Sequence, residues 1–180
     1  MKILGGQAKG RSLKKPKNNK IRPALAKVKG AIFNILGDIE GTSVLDLFAG
    51  TGNIGIEALS RGAAWVTFVD NEPQALRLIR ENSQRTGTEA SCQIVKAEIP
   101  WGLKKLKNDH TYSLIFVDPP YDQRLVNTTL RFLAREKTLA PGGMIIVEHS
   151  PREGVVPPEG LQITDERRYG QTNITFLKYA

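Results

Sequence analysis

Strand-like and helix-like segments alternate along most of this chain, and the alternation constrains its fold more than any other feature. Short apolar runs predict strands at residues 43–47, 65–69, 92–95, 112–117 and, after a turn at Pro141-Gly142-Gly143, 144–147. Apolar residues at helical spacing separate them, at 54–60, 73–85, 101–106 and 125–135. Such alternation predicts an α/β fold in which helices cover both faces of a parallel sheet.

The carboxyl-terminal end of the chain departs from this pattern. Residues 161–168 and 172–179 are both strand-like, and only Tyr169, Gly170 and Gln171 lie between them. So short a connection has no room for a crossover helix, and we therefore expect an antiparallel hairpin. Five parallel strands followed by a hairpin differ from a dehydrogenase domain, which needs a sixth parallel strand.

Positive charge is concentrated at the amino terminus. The first 30 residues hold ten Lys and Arg and no Asp or Glu, whereas the other 150 hold 16 basic and 18 acidic residues. A basic arm on a near-neutral domain indicates a polyanionic partner, and nucleic acid is favoured over an anionic membrane surface or a merely solvated arm. Glycine-flanked apolar pieces predict a β-hairpin in the arm, and Pro23 predicts a helix that ends at Gly37. We expect a basic extension at 1–37 and a second domain at 38–180.

Cysteine content and hydropathy limit where the protein functions. Cys92 is the single cysteine, which excludes an intramolecular disulfide and a cysteine-rich zinc site. No apolar run has the length of a membrane span, and the basic start lacks the apolar segment of a secretory signal. We expect a cytoplasmic protein that binds no metal and no membrane.

A glycine-rich loop follows the first predicted strand. Gly50, Gly52 and Gly55 form a G-x-G-x-x-G pattern, which predicts a tight turn into a helix whose first N–H groups face a ligand. Such a loop suits a pyrophosphate, but also an uncharged adenosine ligand with a carboxylate tail. Asp46 argues against pyrophosphate, because a carboxylate here repels phosphate and accepts a hydrogen bond from an ammonium group. The alternative for Asp46 is a helix-capping or turn aspartate.

Two further acidic residues follow neighbouring strands. Asp70 ends the second strand, where a carboxylate accepts hydrogen bonds from ribose hydroxyls in several cofactor classes. Glu98 follows the third strand and can meet an adenine amino group in the same crevice. The alternative for Glu98 is an exposed loop glutamate.

The fourth strand ends in Asp118-Pro119-Pro120-Tyr121, at the sheet edge where open α/β folds bind ligands. The prolines make a stiff loop whose carbonyl groups are unshared acceptors. Together the tetrad presents a carboxylate, a rigid acceptor and an aromatic face, which suit a flat ring that bears an amino group. Acceptors on both N–H bonds localise the nitrogen lone pair, so that the nitrogen can attack a methyl sulfonium held in line.

With these motifs, the chain resembles Class I S-adenosylmethionine-dependent methyltransferases of the D-P-P-Y group. More narrowly, it resembles the RsmD family, bacterial 16S rRNA guanine-N2 methyltransferases, through I-L-G-G-Q-A-K-G-R-S-L, L-D-L-F-A-G-T-G-N-I-G, V-D-P-P-Y and Y-G-Q-T. The resemblance covers nearly the whole chain and implies a Rossmann-like, seven-stranded, mostly parallel sheet with an antiparallel hairpin at its end. Ile21 departs from the family, which usually has Thr there, and Glu98 stands where the family usually has Asp.

The resemblance also implies the site residues. Catalysis is assigned to Asp118, Pro119, Pro120 and Tyr121. Cofactor binding is assigned to Asp46, Phe48, Ala49, Gly50, Thr51, Gly52, Asp70, Asn71, Ala97 and Glu98. From the charge pattern, we expect RNA phosphates to be bound by the basic side chains of Lys9, Arg11, Lys14, Lys15 and Arg22.

We therefore expect methyl transfer from S-adenosylmethionine to N2 of a flipped-out guanine in small-subunit rRNA, naked or in an assembling 30S particle, by a monomer. One alternative is methylation of adenine N6 or cytosine N4 in DNA or another RNA. Others are an NAD-dependent oxidoreductase and a non-catalytic RNA-binding protein. Glu148, at the end of the fifth strand, is either functional or simply solvent-facing.

Overall fold

The computed structural model describes residues 1–16, 23–106, 111–121 and 124–180. This part of the chain contains the helices α1 (Pro23–Leu36), α2 (Asn53–Ser60), α3 (Pro73–Thr86) and α4 (Leu125–Arg135). Its strands are β1 (Ser43–Leu47), β2 (Trp65–Asp70), β3 (Cys92–Lys96), β4 (Tyr112–Val117), β5 (Leu139–His149), β6 (Leu161–Tyr169) and β7 (Thr172–Tyr179). Short 3-10 helices lie at Glu89–Ser91 and Trp101–Lys105. Among the helices described here, none has the length and apolar content that a membrane crossing requires.

The strands form one sheet in the order β3-β2-β1-β4-β5-β7-β6. The first five strands pair in parallel, and β7 is antiparallel to both β5 and β6. The predicted α/β class, the parallel sheet and the carboxyl-terminal hairpin are therefore confirmed. The strand order reverses between β1 and β4, which opens a crevice at their carboxyl ends, where open α/β sheets bind ligands.

Alternating side chains divide the core between the two faces of the sheet. Val44 of β1 lies in one apolar cluster with Ile56 of α2 and Phe68 of β2. Leu45, the next residue, lies in a second cluster with Leu130 of α4. Helices thus cover both faces, as the continuous apolar character of the parallel strands predicts.

The amino-terminal segment packs onto the first of these clusters. Lys2 and Ser12 form one isolated antiparallel bridge, so the predicted β-hairpin is present only as a single bridged pair of residues. Ile3 and Leu13 are buried in the same cluster as Phe33 of α1. The basic arm therefore shares a core with the sheet, and the domain boundary after residue 37 stays a prediction.

The fifth strand begins earlier than the sequence predicts. The predicted turn at Pro141, Gly142 and Gly143 lies inside β5, which spans Leu139–His149 instead of 144–147. The pairing register with β4 shifts at this point, and Gly142 has a left-handed φ of 75°. Glycine supplies the conformation that a bulge needs, so the chain forms an irregular strand where its composition alone indicates a turn.

Candidate functional site

The register of the central strands places acidic side chains on one face at their carboxyl ends. Asp46 of β1 pairs with Phe116 of β4, and Phe116 pairs with Ile146 of β5. Alternate residues of a strand share a face. Asp118 and Glu148, each two residues beyond these partners, therefore extend to the same side as Asp46.

These three carboxylates line one cavity of about 190 Å³, which we call the Asp46 cavity. The glycine loop and the start of α2 form one wall: Phe48, Ala49, Gly50 and Thr51 belong to the loop, and Asn53 and Ile54 to the helix. Met1, Lys29 and Ile32 line it from the amino-terminal arm and α1. The structure thus brings the glycine loop, the end of β4 and the arm to a single site.

The backbone of the glycine loop is left-handed at several positions. Gly50 and Gly52 have φ values of 55° and 75°, and the non-glycine Phe48 has a φ of 58°. Such a conformation costs energy at a non-glycine residue such as Phe48, and strained positions of this kind cluster at functional sites. At Gly55, a Cβ atom would lie 2.3 Å from the ring of Phe68. The third glycine of the pattern therefore permits close packing of α2 on β2.

Asp46 is buried and acts on the helix as well as on the cavity. Its Oδ2 accepts the backbone N–H of Gly55 in the first turn of α2, at 2.9 Å. Desolvation raises the pKa of Asp46 to about 7; the Gly55 hydrogen bond opposes this rise, and the Asp70 charge adds to it. Capping and ligand binding are thus compatible roles for this aspartate.

Asp70 holds the glycine loop from the neighbouring strand. Its Oδ2 accepts the N–H of Gly50 at 2.8 Å, and its Oδ1 accepts the N–H of Glu72 at 2.9 Å. A carboxylate has about four lone-pair sites, so both oxygens retain capacity for ribose hydroxyls.

Asp70 and Gly52 are not among the residues that line the Asp46 cavity, and neither are the other predicted cofactor residues at this edge. Ala97 is buried and donates its N–H to the carbonyl oxygen of Asp70 at 3.1 Å. Asn71 and Glu98 are exposed, and the Glu98 carbonyl accepts the N–H of Gly102 at 2.6 Å. Their contact with a cofactor stays a prediction.

The D-P-P-Y segment, residues 118–121, follows β4 directly. Pro119 is buried and Pro120 is exposed. The hydroxyl of Tyr121 lies 3.0 Å from Oγ1 of Thr172, the first residue of β7. The carboxyl-terminal hairpin thus fixes the phenol end of the predicted stacking residue.

Electrostatics in the cavity favour a cationic ligand. Asp118 lines the Asp46 cavity and is exposed to solvent. Desolvation raises the pKa of Asp118 well above its usual range, and the charges of Glu148 and Asp46 raise it further. Desolvation also raises the pKa of Glu148, against the hydrogen bond that Tyr121 donates. Positive charge bound here would relieve the repulsion among the carboxylates.

A buried ion pair beside the cavity was not predicted from the sequence. Nζ of Lys29 lies 2.8 Å from Oε2 of Glu57, and Nε of Arg61 lies 2.8 Å from Oε1. The same two oxygens accept the N–H groups of Leu4 and Gly5, each at 2.8 Å. The signal in the sequence is that Glu57 is the single charged residue of the apolar helix α2.

Asn82 of α3 makes a second connection between the arm and the loop. Its amide oxygen accepts the N–H of Lys14 at 2.7 Å. Its amide nitrogen donates to the carbonyl oxygens of Lys14 and Thr51, at 3.1 and 2.9 Å. The conformation of the glycine loop is therefore tied to the docking of the arm.

Four of the five predicted RNA-binding residues fall in the described part of the arm, and all four are exposed. The exposed ones are Lys9, Arg11, Lys14 and Lys15, and Arg22 lies outside the described residues. Arg11 donates to the carbonyl oxygen of Arg85 at 2.9 Å, and Lys14 pairs with Glu81 at 2.9 Å. Within the described ranges, no ion pair involves Lys9 or Lys15.

The chain is similar to known proteins along almost its full length. The family described as conserved hypothetical protein 95 matches residues 1–178. YlbH of Bacillus subtilis (strain 168), whose name describes it as a candidate rRNA methyltransferase, is 34% identical over 182 residues, or 99% of this chain and 98% of YlbH. Ribosomal RNA small subunit methyltransferase D of Escherichia coli (strain K12) is 31% identical over 173 residues, or 95% of this chain and 86% of that protein.

A solved structure extends this similarity to the fold. The structure of yhhF from Escherichia coli, described as a candidate methyltransferase, has a TM-score of 0.85 at 28% identity. The match covers 99% of this chain and 97% of the other. The class I methyltransferase fold that the sequence predicts is confirmed.

Proposed function

Because the chain belongs to the family described as conserved hypothetical protein 95, the RsmD family, we propose that it transfers methyl groups from S-adenosylmethionine to ribosomal RNA. The finer proposal is that it methylates the exocyclic N2 of one guanine in small-subunit (16S) rRNA. The names of its relatives support the rRNA substrate. The D-P-P-Y segment supports an amino nitrogen as the methyl acceptor.

The observation that carries the proposal is that Asp46 and Asp118 line the same cavity. One belongs to the cofactor-loop motif and the other to the catalytic motif, and 72 positions separate them in the numbering. Transfer of a group between two bound molecules requires that their sites meet, because the reacting atoms must come within about 3–3.5 Å.

The residues present fit S-adenosylmethionine. Its ammonium group matches the buried Asp46, its ribose matches the remaining lone pairs of Asp70, and its carboxylate matches the N–H groups of the glycine loop. The carboxylates of Asp118 and Glu148 lie on the side of the cavity where positive charge is favoured. A dinucleotide fits less well, because its diphosphate would add negative charge beside them.

The bound cofactor supplies an electrophilic methyl group on a sulfonium. Tyr121, held through Thr172, stacks on the flipped-out base. Asp118 and the Pro119 carbonyl accept the two amino hydrogens, which localises the lone pair of N2. As the N2–CH3 bond forms, the S–CH3 bond would break and S-adenosylhomocysteine would leave; N2 would become cationic, and Asp118 would stabilise that charge until N2 loses one of its hydrogens as a proton.

Substrate RNA would lie across the cavity and the basic arm. Lys9, Arg11, Lys14 and Lys15 are exposed, and with Arg22 they would contact phosphates. The arm at 1–37 is then the RNA-binding extension and 38–180 the catalytic domain. Naked rRNA or an assembling 30S particle as substrate, a monomeric enzyme, a cytoplasmic location and catalysis without metal belong to the same proposal.

A methyl-transfer assay tests the proposal. The purified protein is incubated with radiolabelled S-adenosylmethionine and with rRNA or partly assembled small subunits that lack the modification. Nucleosides from the product are then separated and identified by mass spectrometry. We expect N2-methylguanosine. N6-methyladenosine or N4-methylcytidine would replace the finer proposal with the adenine or cytosine alternative, and no label in any RNA would overturn the methyltransferase proposal.

A further inference from the structure

Glu148 occupies the position on β5 that corresponds to Asp118 on β4. Val117 and Val147 are paired, so the two acidic residues follow equivalent positions on neighbouring parallel strands. Neighbouring strands lie about 4.8 Å apart. Both side chains line the Asp46 cavity, so a ligand that touches one lies within reach of the other.

We propose that Glu148 accepts the N1–H of the target guanine and makes the site selective for guanine over adenine and cytosine. This inference rests on the proposed function, in which Asp118 and the Pro119 carbonyl accept the amino hydrogens. Guanine alone among these three bases presents a ring N–H next to its amino group. Adenine presents N1 and cytosine presents N3 as acceptors at that place, and a carboxylate there would face a lone pair.

The hydrogen bonds around Glu148 leave its side chain able to accept a hydrogen bond from the guanine N1–H. Among the described residues, its side chain makes one hydrogen bond, from the Tyr121 hydroxyl to Oε1 at 3.4 Å. Thr172 Oγ1 lies closer to that hydroxyl, at 3.0 Å. Tyr121 therefore remains anchored when Glu148 turns toward a base, and Oε2 is available to the ligand.

Selectivity of this kind requires the ionised form of Glu148, since a protonated carboxyl would donate to adenine N1. The titratable groups around the site are the carboxylates of Asp46 and Asp118, the Tyr121 phenol, the Lys29 ammonium group and the Met1 amino group. Binding of the cationic cofactor among the carboxylates stabilises their charged forms. Guanine is thus recognised in the complex that already holds the methyl donor.

The test replaces the target guanine by 2-aminopurine, which keeps the amino group but has an acceptor at N1. The base is introduced at the nucleotide that mass spectrometry identifies as methylated. We expect the wild-type protein to methylate guanine at least about tenfold faster, by kcat/KM, because an unpaired acceptor faces Glu148. Equal kcat/KM values of the wild-type protein on the two bases would overturn the proposal, and this result requires no variant.

Glu148→Gln then separates recognition from structure. Its amide nitrogen can donate to N1 of 2-aminopurine, whereas toward the guanine N1–H its neutral oxygen is a weaker acceptor than a carboxylate, so we expect guanine methylation to fall about 10- to 100-fold and the preference to shrink or reverse. Because Glu148 is one of the carboxylates that favour the cationic cofactor, cofactor affinity is measured by calorimetry and the two bases are compared at saturating cofactor, with exposed Glu159→Gln as the matched control. A variant that keeps the wild-type preference would overturn the inference, whereas absence of N2-methylguanosine from the wild-type product would overturn the proposed function itself.

Discussion

Lys29 of α1 and Glu57 of α2 form an ion pair with only 2% and 0% of their side chains exposed, and their charged atoms lie 2.8 Å apart. Hydrogen bonds from Leu4 and Gly5 to Glu57 extend this pair to the amino-terminal segment. The helix that begins at the glycine loop is therefore the helix that holds the arm. The buried charges of Lys29 and Glu57 therefore connect the arm, which carries the predicted RNA-binding residues, to the helix that follows the predicted cofactor loop.

Lys29→Met should destabilise the protein strongly. The change leaves the Glu57 carboxylate buried with fewer partners, and removing one member of a buried pair costs about 3–5 kcal/mol. Urea unfolding followed by circular dichroism measures the loss. A free energy of unfolding within about 1 kcal/mol of wild type would contradict the buried pair.

Lys14→Met is the matched control for this comparison. It removes a lysine that pairs with Glu81 at a similar distance, 2.9 Å, but on the surface. Exposed pairs contribute little because water and salt screen them. The urea midpoint of this variant should stay close to that of wild type.

Asp46→Asn should remove a pH-dependent penalty from the folded state. The folded pKa of about 7 exceeds the ordinary 3.8, so between these values the folded protein binds more protons than the unfolded chain. Wild-type stability should therefore fall as pH rises through this window, and the Asp46 contribution between pH 5 and 8 is roughly 2–3 kcal/mol. Unfolding of wild type and variant at both pH values measures it as a difference.

The same variant should bind S-adenosylmethionine more weakly above pH 7, because its neutral amide replaces the carboxylate that faces the ammonium group. The amide oxygen still accepts the Gly55 N–H, so the start of α2 is preserved. Calorimetric titration checks this expectation. An unchanged pH profile of stability, together with unchanged cofactor affinity, would show that Asp46 plays no such part.

Asp118→Asn should lower methyl transfer about 100- to 1,000-fold, because the amide cannot stabilise the cationic nitrogen as a carboxylate does. Cofactor binding should persist, since the glycine loop and Asp46 are untouched. Single-turnover assays with radiolabelled cofactor measure the rate, and exposed Asp38→Asn is the control. Turnover near the wild-type rate would remove Asp118 from the catalytic assignment.

Lys9→Ala and Lys15→Ala should each weaken RNA binding and lower its dependence on salt. Each lost contact with a phosphate of single-stranded RNA reduces the slope of log K against log salt by about 0.7. Filter binding across a salt series gives the slope. Lys178→Ala is the control: this lysine lies near the end of β7 away from Thr172, and its loss should leave the slope unchanged. Unchanged slopes for both arm variants would show that these two lysines do not contact RNA.

Point substitutions test the arm better than its deletion. Ile3 and Leu13 are buried in the core, and Leu4 and Gly5 bond to Glu57. Removing residues 1–20 would therefore damage folding as well as any RNA contact. The two lysines lie outside these contacts and report on charge alone.

Local patterns were sufficient to predict most of the sheet. The strand at Tyr112–Val117 and the helix at Leu125–Arg135 have the bounds that apolar periodicity predicts. Gly50, Thr51 and Asp118 line the same cavity, as expected for the ends of parallel strands on either side of the reversal in strand order. These features depend on neighbours in sequence or on a general rule of topology.

What could not be predicted depends on contacts between distant parts of the chain. Nothing near Lys29 in the sequence distinguishes it from the other lysines of the arm. Only the folded structure shows that Lys29 is the lysine that pairs with Glu57. The role of Glu148 stayed open because its distance from Asp118 follows from the β4–β5 register. Glu98 matches a family position, but its exposure depends on how the chain leaves β3.

The docking of the arm also orders events during synthesis. Leu4 meets Glu57 across 53 residues, and Lys14 meets Asn82 across 68. The amino-terminal segment is synthesised before α2 and α3, so its backbone groups wait for these partners, and closing such long loops slows folding. Until these contacts form, the positive charge concentrated in the first 30 residues is not held against the domain and can attract polyanions such as RNA.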